Sequence, residues 1–265
     1  MMCPYLHVFS IQIPMYGLMM AVGFLLCGAI SFWRTRKRGM QGENLIIIAA
    51  VLFLFALLGG ILFYDLVTYG PSQIVELIRK GDWEHLISGG IVFYGALTGG
   101  VIGAFIGSRI AHEDLRDYLD IVVPVIPLGH AIGRIGCFCA GCCYGRPTDS
   151  MIGVVYTDPV GGAPTGVRLL PTQLIESAYN LLLFGILMAV SKRTTSRYLT
   201  TLLYCILYGC FRFVLEFFRY DSIRGTAAGL STSQWVSIVL IAGALITGAV
   251  YRLVKKKKKT SEEVR

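Results

Sequence analysis

Charge is what this chain has least of. Asp, Glu, Lys and Arg together make up 15% of 265 residues, where a soluble domain carries about 25%. Apolar types reach 55% and the mean hydropathy is +0.65, which excludes an ordinary water-soluble globule. Acidic residues are the scarcer sign, 16 against 24 basic, for a net charge of +8. The basic residues stand between apolar stretches and at the C-terminus, a distribution that records membrane orientation, so no nucleic-acid partner is expected. Histidines number four, and no HxxxH pair or His–carboxylate cluster has metal spacing. The first apolar run is followed, not preceded, by its basic cluster and has no small-residue cleavage site, so it does not read as a cleaved signal. Neither a short solenoid-like repeat nor an inverted repeat is visible.

What is present is a series of apolar runs of spanning length. Seven are expected, near residues 14–33, 45–63, 91–110, 118–139, 171–190, 198–218 and 232–252. The fold class is therefore an all-α membrane protein, a single polytopic domain over 1–265. The fourth run is interrupted by Pro124 and Pro127, and backbone of that kind is tolerated at depth only inside protein or beside water. Longer segments lie near 64–90 and 144–170; the second has five glycines and three prolines and reads as an irregular loop.

The loops orient the chain. Arg34, Arg36, Lys37, Arg38, Arg109, Arg116, Lys192, Arg193, Arg197, Arg252, Lys255 to Lys259 and Arg265 fall on one side, 16 in all. The other side has five: Arg79, Lys80, Arg146, Arg168 and Arg224. The basic side is cytoplasmic. The N-terminus and both longer segments are then outside, and the tail 253–265 is a cytoplasmic anchor.

Polar residues in the spans mark candidate function, because an arginine there costs at least ~2.5 kcal/mol on insertion scales. Arg134, Arg212 and Arg219 all fall toward the outer side. Snorkelling to the surface suits Arg219, at the end of its span, better than Arg212. In YGCFRFVLEFFR, Tyr208, Arg212, Glu216 and Arg219 share one helical face. Either a structural Arg–Glu pair or an anion-binding cavity follows from that spacing. Arg134, from another span, would bring a second guanidinium to similar depth, and converging guanidiniums suit a phosphate or a developing negative charge. Tyr16, Gln173 and Glu176 are further polar candidates, with helix-packing hydrogen bonds as the alternative. The glycines of YGALTGGVIG, including Gly95 and Gly99, permit close approach of a helix or a lipid headgroup.

The segment HAIGRIGCFCAGCCYGRPTD places Cys137, Cys139, Cys142 and Cys143 within seven positions. C-x-C-x-x-C-C is not a clean zinc pattern, and no second CxxC or CxxH completes it, so neither metal nor cofactor is expected. Packing thiols, a disulfide, a metal cluster and a catalytic thiol all remain open readings; a bond between adjacent Cys142 and Cys143 would be strained. Cys3, Cys27, Cys205 and Cys210 read as small packing residues.

In order along the chain, IPMYGLMMAVGF, FYGALTGG, GRIGCFCAGCCYGRPTD, PTQLIES, YGCFRFVLEFFR and LSTSQWVSIVLI resemble the blocks of the prolipoprotein diacylglyceryl transferases. The third is similar to a signature written GRxGNFxNxExxGR. The resemblance implies an enzyme of the bacterial cytoplasmic membrane with its site toward the outer leaflet. It would move the diacylglyceryl group of phosphatidylglycerol to the lipobox cysteine thiol of a prolipoprotein signal peptide, forming a thioether and releasing glycerol-1-phosphate. Arg134 and Arg212 then match the family's essential arginines, with Glu216 beside Arg212 and Tyr94 at the position of a proposed histidine base. Tyr16, Tyr208, Arg219, Arg146, Gly95, Gly99, Gln173 and Cys137 would line the substrate site. Cys137, Ala140 and Cys142 replace the signature's two asparagines and glutamate. Alternatives are a related lipid transfer to another acceptor, an anion-conducting transporter, or a redox or metal protein built on the cysteines.

Overall fold

The computed structural model describes residues 4–87, 90–194, 198–220 and 226–263. Cys3, Arg197, Arg224 and Arg265 fall outside the described residues, as do the side chains of Lys255 to Lys259. In chain order the elements are β1 (Tyr5–Val8), β2 (Ile11–Pro14), α1 (Met15–Lys37), α2 (Gly42–Thr68), α3 (Gly70–Lys80), α4 (Trp83–Ile87), α5 (Phe93–Ile110), α6 (Leu115–Val122), α7 (Ile126–Ala140), β3 (Val154–Val155), β4 (Arg168–Leu169), α8 (Thr172–Arg193), α9 (Leu199–Glu216), β5 (Thr226–Ala227), β6 (Leu230–Ser231) and α10 (Thr232–Glu263). The strands form three small antiparallel pairs, β1–β2, β3–β4 and β5–β6.

Among the described residues, six helices are long and apolar enough to cross a membrane: Met15–Lys37, Gly42–Thr68, Leu115–Ala140, Thr172–Arg193, Leu199–Glu216 and Thr232–Val254. The chain is thus an all-α, multi-pass membrane protein. The third expected span, near 91–110, is helical, as α5, but is not among those six. Large apolar side chains stay exposed along the helices, among them Phe53, Leu54, Leu58 and Leu62 on α2 and Val239, Leu245, Ile246 and Val250 on α10. In water such surface would drive aggregation; in hydrocarbon it is the solvated face.

Two compact units emerge, Phe32–Tyr118, and Met1–Ser31 with Leu119–Arg265. The smaller unit is organised by α2 packed antiparallel on α5. Gly95, Gly99, Gly103 and Gly107 recur every four residues, so they form one stripe on α5. A Cβ at Gly95 or Gly99 would collide with the α2 carbonyls of Gly59 and Phe55; one at Gly103 would lie 2.7 Å from the Val51 carbonyl oxygen. The stripe lets the two backbones touch, which is how helices associate where no hydrophobic force separates lipid from side chain. In the expected outer segment, α2 runs on to Thr68, and α3 ends at Gly81, whose φ of 69° closes the helix.

The larger unit holds the polar core. Its break is where the prolines are: α6 gives way to a 3-10 turn, Val123–Val125, and α7 restarts at Ile126 with Pro127 in its first turn. That turn is buried, so the interrupted backbone is covered by protein, as the membrane requires. The first half of α1 lies on α7, with Gly23 against the Gly129 backbone and Gly136 against that of Tyr16. The α7 and α8 helices are tied by Ser177 Oγ, which donates to the Ala131 carbonyl at 2.9 Å. The α8 and α9 helices meet through Tyr179 and Phe211, rings stacked 3.7 Å apart.

Candidate active site

One carboxylate organises the centre of the larger unit. Glu176, in the first turns of α8, has a side chain 1% exposed. Its Oε2 lies 3.1 Å from Arg134 Nε, its Oε1 accepts from the Tyr208 hydroxyl at 3.2 Å, and His130 Nε2 stands 3.4 Å from Oε1. His130 and Arg134 are four residues apart on α7 and so share a face; His130 Nε2 is also 3.3 Å from Arg134 Nε. The imidazole accepts from the guanidinium when deprotonated and donates to the carboxylate when protonated, so it is placed to pass a proton to Glu176. Among the described residues, both contacts of Arg134 use Nε, so its two Nη groups are available to an incoming acceptor.

The second cluster closes the end of α9. Arg212 Nη2 pairs with Glu216 Oε2 at 2.8 Å and donates to Ser233 Oγ at 3.0 Å; Arg219 Nε lies 4.0 Å from the same carboxylate oxygen. Ser233 is held by a capping box readable in STSQ. The Ser231 Oγ accepts from the Gln234 amide at 3.2 Å and Gln234 Oε1 accepts from the Ser231 amide at 2.9 Å, starting α10 at Thr232. Arg212 Nη1 is buried and has no hydrogen-bond partner among the described residues. The Arg219 side chain is 3% exposed, so the snorkelling expected for it is overturned: Glu216 holds it inside.

Three guanidiniums and two carboxylates are thus buried at one end of the unit, at the C-terminal ends of α7 and α9 and the N-terminal end of α8. Each buried ion costs several kcal/mol of desolvation. A cluster so costly for stability, with donors to spare, suits an anion bound in low dielectric.

Other residues named from sequence divide. Tyr16 sits at the start of α1 with its backbone against Gly136 of α7, two residues from Arg134. Gln173 is fully buried; its Nε2 donates to the Cys142 carbonyl at 2.6 Å and to the Tyr156 hydroxyl at 3.0 Å, so it pins the 144–170 loop to α8. Burial pushes the Tyr156 hydroxyl up to about 12. Arg146 donates from Nη2 to the Phe217 carbonyl, from its amide to the Phe218 carbonyl at 3.0 Å, and lies over the Phe218 ring. It clamps the end of α9. Gly95 and Gly99 belong to the α2–α5 contact of the smaller unit, and Tyr94 lies beside them on α5. His130 and Glu176 are the partners that sequence reading underrated; the His130–Arg134 spacing was the available signal.

The seven described cysteines are thiols. The sulfurs of Cys137, Cys142 and Cys143 lie within 4.8 Å of one another, and Cys139 stands outside that group. Hydrogen bonds from the Cys137 and Cys142 thiols, helped by the charges of Arg219 and Arg134, hold the Cys143 thiol below its ordinary value, and the Cys137 and Cys143 sulfurs push the Cys142 thiol up.

The sequence profile of the family described as prolipoprotein diacylglyceryl transferase matches residues 4–250. The chain belongs to this family. A protein of Clostridium tetani named phosphatidylglycerol–prolipoprotein diacylglyceryl transferase is 36% identical over 235 residues, 89% of this chain and 92% of the relative. A protein of the same name from Dehalococcoides mccartyi is 35% identical over 256 residues, 94% and 92% of the two chains. One from Clostridium perfringens, named as a second transferase of that kind, is 32% identical over 97% of this chain and 98% of its own. In this prolipoprotein diacylglyceryl transferase family member, the buried guanidiniums therefore come from α7, which carries Arg134, and from α9 and the residues just after it, which carry Arg212 and Arg219.

Proposed function

We propose that this chain transfers the diacylglyceryl group of phosphatidylglycerol to the cysteine thiol of a prolipoprotein lipobox, releasing glycerol-1-phosphate. The observation that carries the reading is the pair of buried guanidiniums, Arg134 on α7 and Arg212 on α9, in a chain of this family. The acceptor sulfur attacks the glycerol carbon that bears the phosphate ester. The S–C bond forms, the C–O bond breaks, and the electron pair leaves on the phosphate oxygen. Arg134 and Arg212 hold that phosphate, and their donors strengthen as charge grows on it. Arg219 and Glu216 position Arg212; Tyr208 and Glu176 position Arg134; Tyr16 borders the headgroup from α1. The sulfur must also lose a proton. The family resemblance points to Tyr94, which stands where the family has a proposed histidine base. We assign proton uptake to the His130–Glu176 pair, which meets beside Arg134.

We further infer a bacterial cytoplasmic membrane location with the N-terminus outside, the C-terminus inside and the site at the outer leaflet. The 16-to-5 basic imbalance of the loops supports that orientation.

The test is a transfer assay with purified protein, radiolabelled phosphatidylglycerol and a lipobox peptide, beside a peptide with serine for cysteine. Label is expected on the cysteine peptide alone, and Arg134→Ala or Arg212→Ala is expected to reduce transfer about 10²–10³-fold. Undiminished transfer by either variant would overturn the site. The replacements at Cys137, Ala140 and Cys142 favour a second reading, transfer to a different acceptor; label lost from the lipid but absent from the cysteine peptide would select it.

A further inference from the structure

The transfer reaction leaves the cysteine-rich turn unused. Its nucleophile is the substrate's thiol, and the phosphate is held by arginines. Yet the turn is built with some specificity. Neighbouring residues ordinarily point apart, but here α7 ends on Gly141 at φ 73° and Cys143 takes φ 60°, a conformation uncommon for a residue with a side chain. The two bends fold Cys142 and Cys143 back over the last turn of α7, onto Cys137. The loop then covers them. The Gly161 amide donates to the Ala140 carbonyl at 2.7 Å, the Ala163 amide to the Gly141 carbonyl at 3.1 Å, and a Cβ at Gly161 would run into Cys142. Thr172 Oγ1 and Gln173 Nε2 take the carbonyls of Cys143 and Cys142 from the α8 side.

We propose that Cys137, Cys142 and Cys143 form a three-thiolate site for a thiophilic metal ion of the Zn2+ class, with a fourth coordination position left to water. Zinc–sulfur bonds of about 2.3 Å set tetrahedral sulfurs about 3.8 Å apart, and the three thiols already lie within 4.8 Å of one another. Small side-chain rotations close the difference. Binding releases the thiol protons to solvent, with no change of oxidation state. Three thiolates around a divalent ion carry one net negative charge, and the Arg134 and Arg219 guanidiniums near Cys143 offset it. Spacing along the chain argued against such a site, because two of its ligands are adjacent; the left-handed residues are what make the adjacency usable. The metal would brace the turn that leads from Arg134 to the loop, and its presence does not depend on the transfer chemistry.

The experiment is an anaerobic Co2+ titration of reduced, untagged, full-length protein in detergent. One equivalent per chain is expected to give thiolate-to-cobalt charge-transfer absorption that Zn2+ abolishes. Cys142→Ser and Cys143→Ser should each weaken Co2+ at least about tenfold, since each removes one of three protein ligands, while Cys205→Ser should leave it unchanged. Folded wild-type protein with no charge-transfer band and no retained zinc after dialysis would overturn the site, whatever the variants do. So would unchanged affinity in both serine variants at the turn. A Cys137–Cys142 or Cys137–Cys143 disulfide in protein isolated without oxidant would overturn it as well, and give the cluster to redox chemistry.

Discussion

Replacing Glu176 by glutamine keeps the shape of the side chain and removes its charge. The carboxylate lies 3.1 Å from Arg134 Nε with a side chain 1% exposed. At an effective dielectric of about 20 the attraction is about 5 kcal/mol before desolvation. Glutamine still accepts from the Tyr208 hydroxyl and from Nε, so the net loss is about 2–3 kcal/mol, the worth of a hydrogen bond to a charged group. For a chain of this size that lowers the unfolding midpoint by roughly 5–10 °C, measurable by circular dichroism in detergent. Activity should separate from stability. The site gains a positive charge, so phosphatidylglycerol KM should stay level or fall. Arg134 loses its alignment and His130 its proton acceptor, so kcat should fall about tenfold or more. Glu176→Asp should restore part of the midpoint but little of kcat, because the shortened carboxylate keeps its charge and retreats from Arg134. A Glu176→Gln protein with an unshifted midpoint and kcat within about two-fold of wild type would refute the idea that this carboxylate organises the site.

Other outcomes follow from the same geometry. Arg212→Lys keeps a charge that can reach Glu216 and Ser233, both of which Nη2 meets, but loses the second nitrogen, Nη1, that is left for substrate, so kcat/KM should fall about 10²-fold; near-normal turnover would reduce Arg212 to a point charge. Tyr94→Phe should cost about tenfold or less in transfer rate, whereas His130→Ala should cost about 10² or more; the reverse order would return the base to Tyr94. Gly103→Val places a side chain where Phe55 Cβ and the Val51 carbonyl stand 2.7 Å away, forcing α2 and α5 apart at about 1–3 kcal/mol, to be read as a lowered thermal midpoint. Gln173→Leu leaves the Cys142 carbonyl and Tyr156 hydroxyl short of a donor, a loss of about 1–3 kcal/mol; limited proteolysis should then cut the 144–170 loop sooner than in wild type.

The membrane class was legible in composition and in runs of apolar residues, because lipid forces each span to satisfy its own backbone and local sequence reports that directly. Helix limits followed to within a few residues, as at Thr172, Leu199 and Thr232, where starts near 171, 198 and 232 are expected from the apolar runs. The proline interruption near 124 was likewise readable, since a missing N–H is a local fact. Arg134 and Arg212 stood out because a charge in an apolar run is costly wherever it ends up. What paired with them did not stand out. Glu176 reads locally as one polar residue at a helix start and His130 as one isolated histidine; only the packing of α7, α8 and α9 brings them within 3.4 Å of each other beside Arg134. Arg146 and Gln173 looked like substrate ligands, and tertiary contacts engage both in holding a loop. The glycine stripe of α5 was visible as a surface of close approach, but its partner, the α2 backbone, was decided by packing. The sequence by itself therefore determined which residues the membrane would not tolerate exposed. The tertiary structure decided which of them face one another, because pair distances depend on helix crossings and on left-handed turns at Gly141 and Cys143 that no run of neighbours encodes.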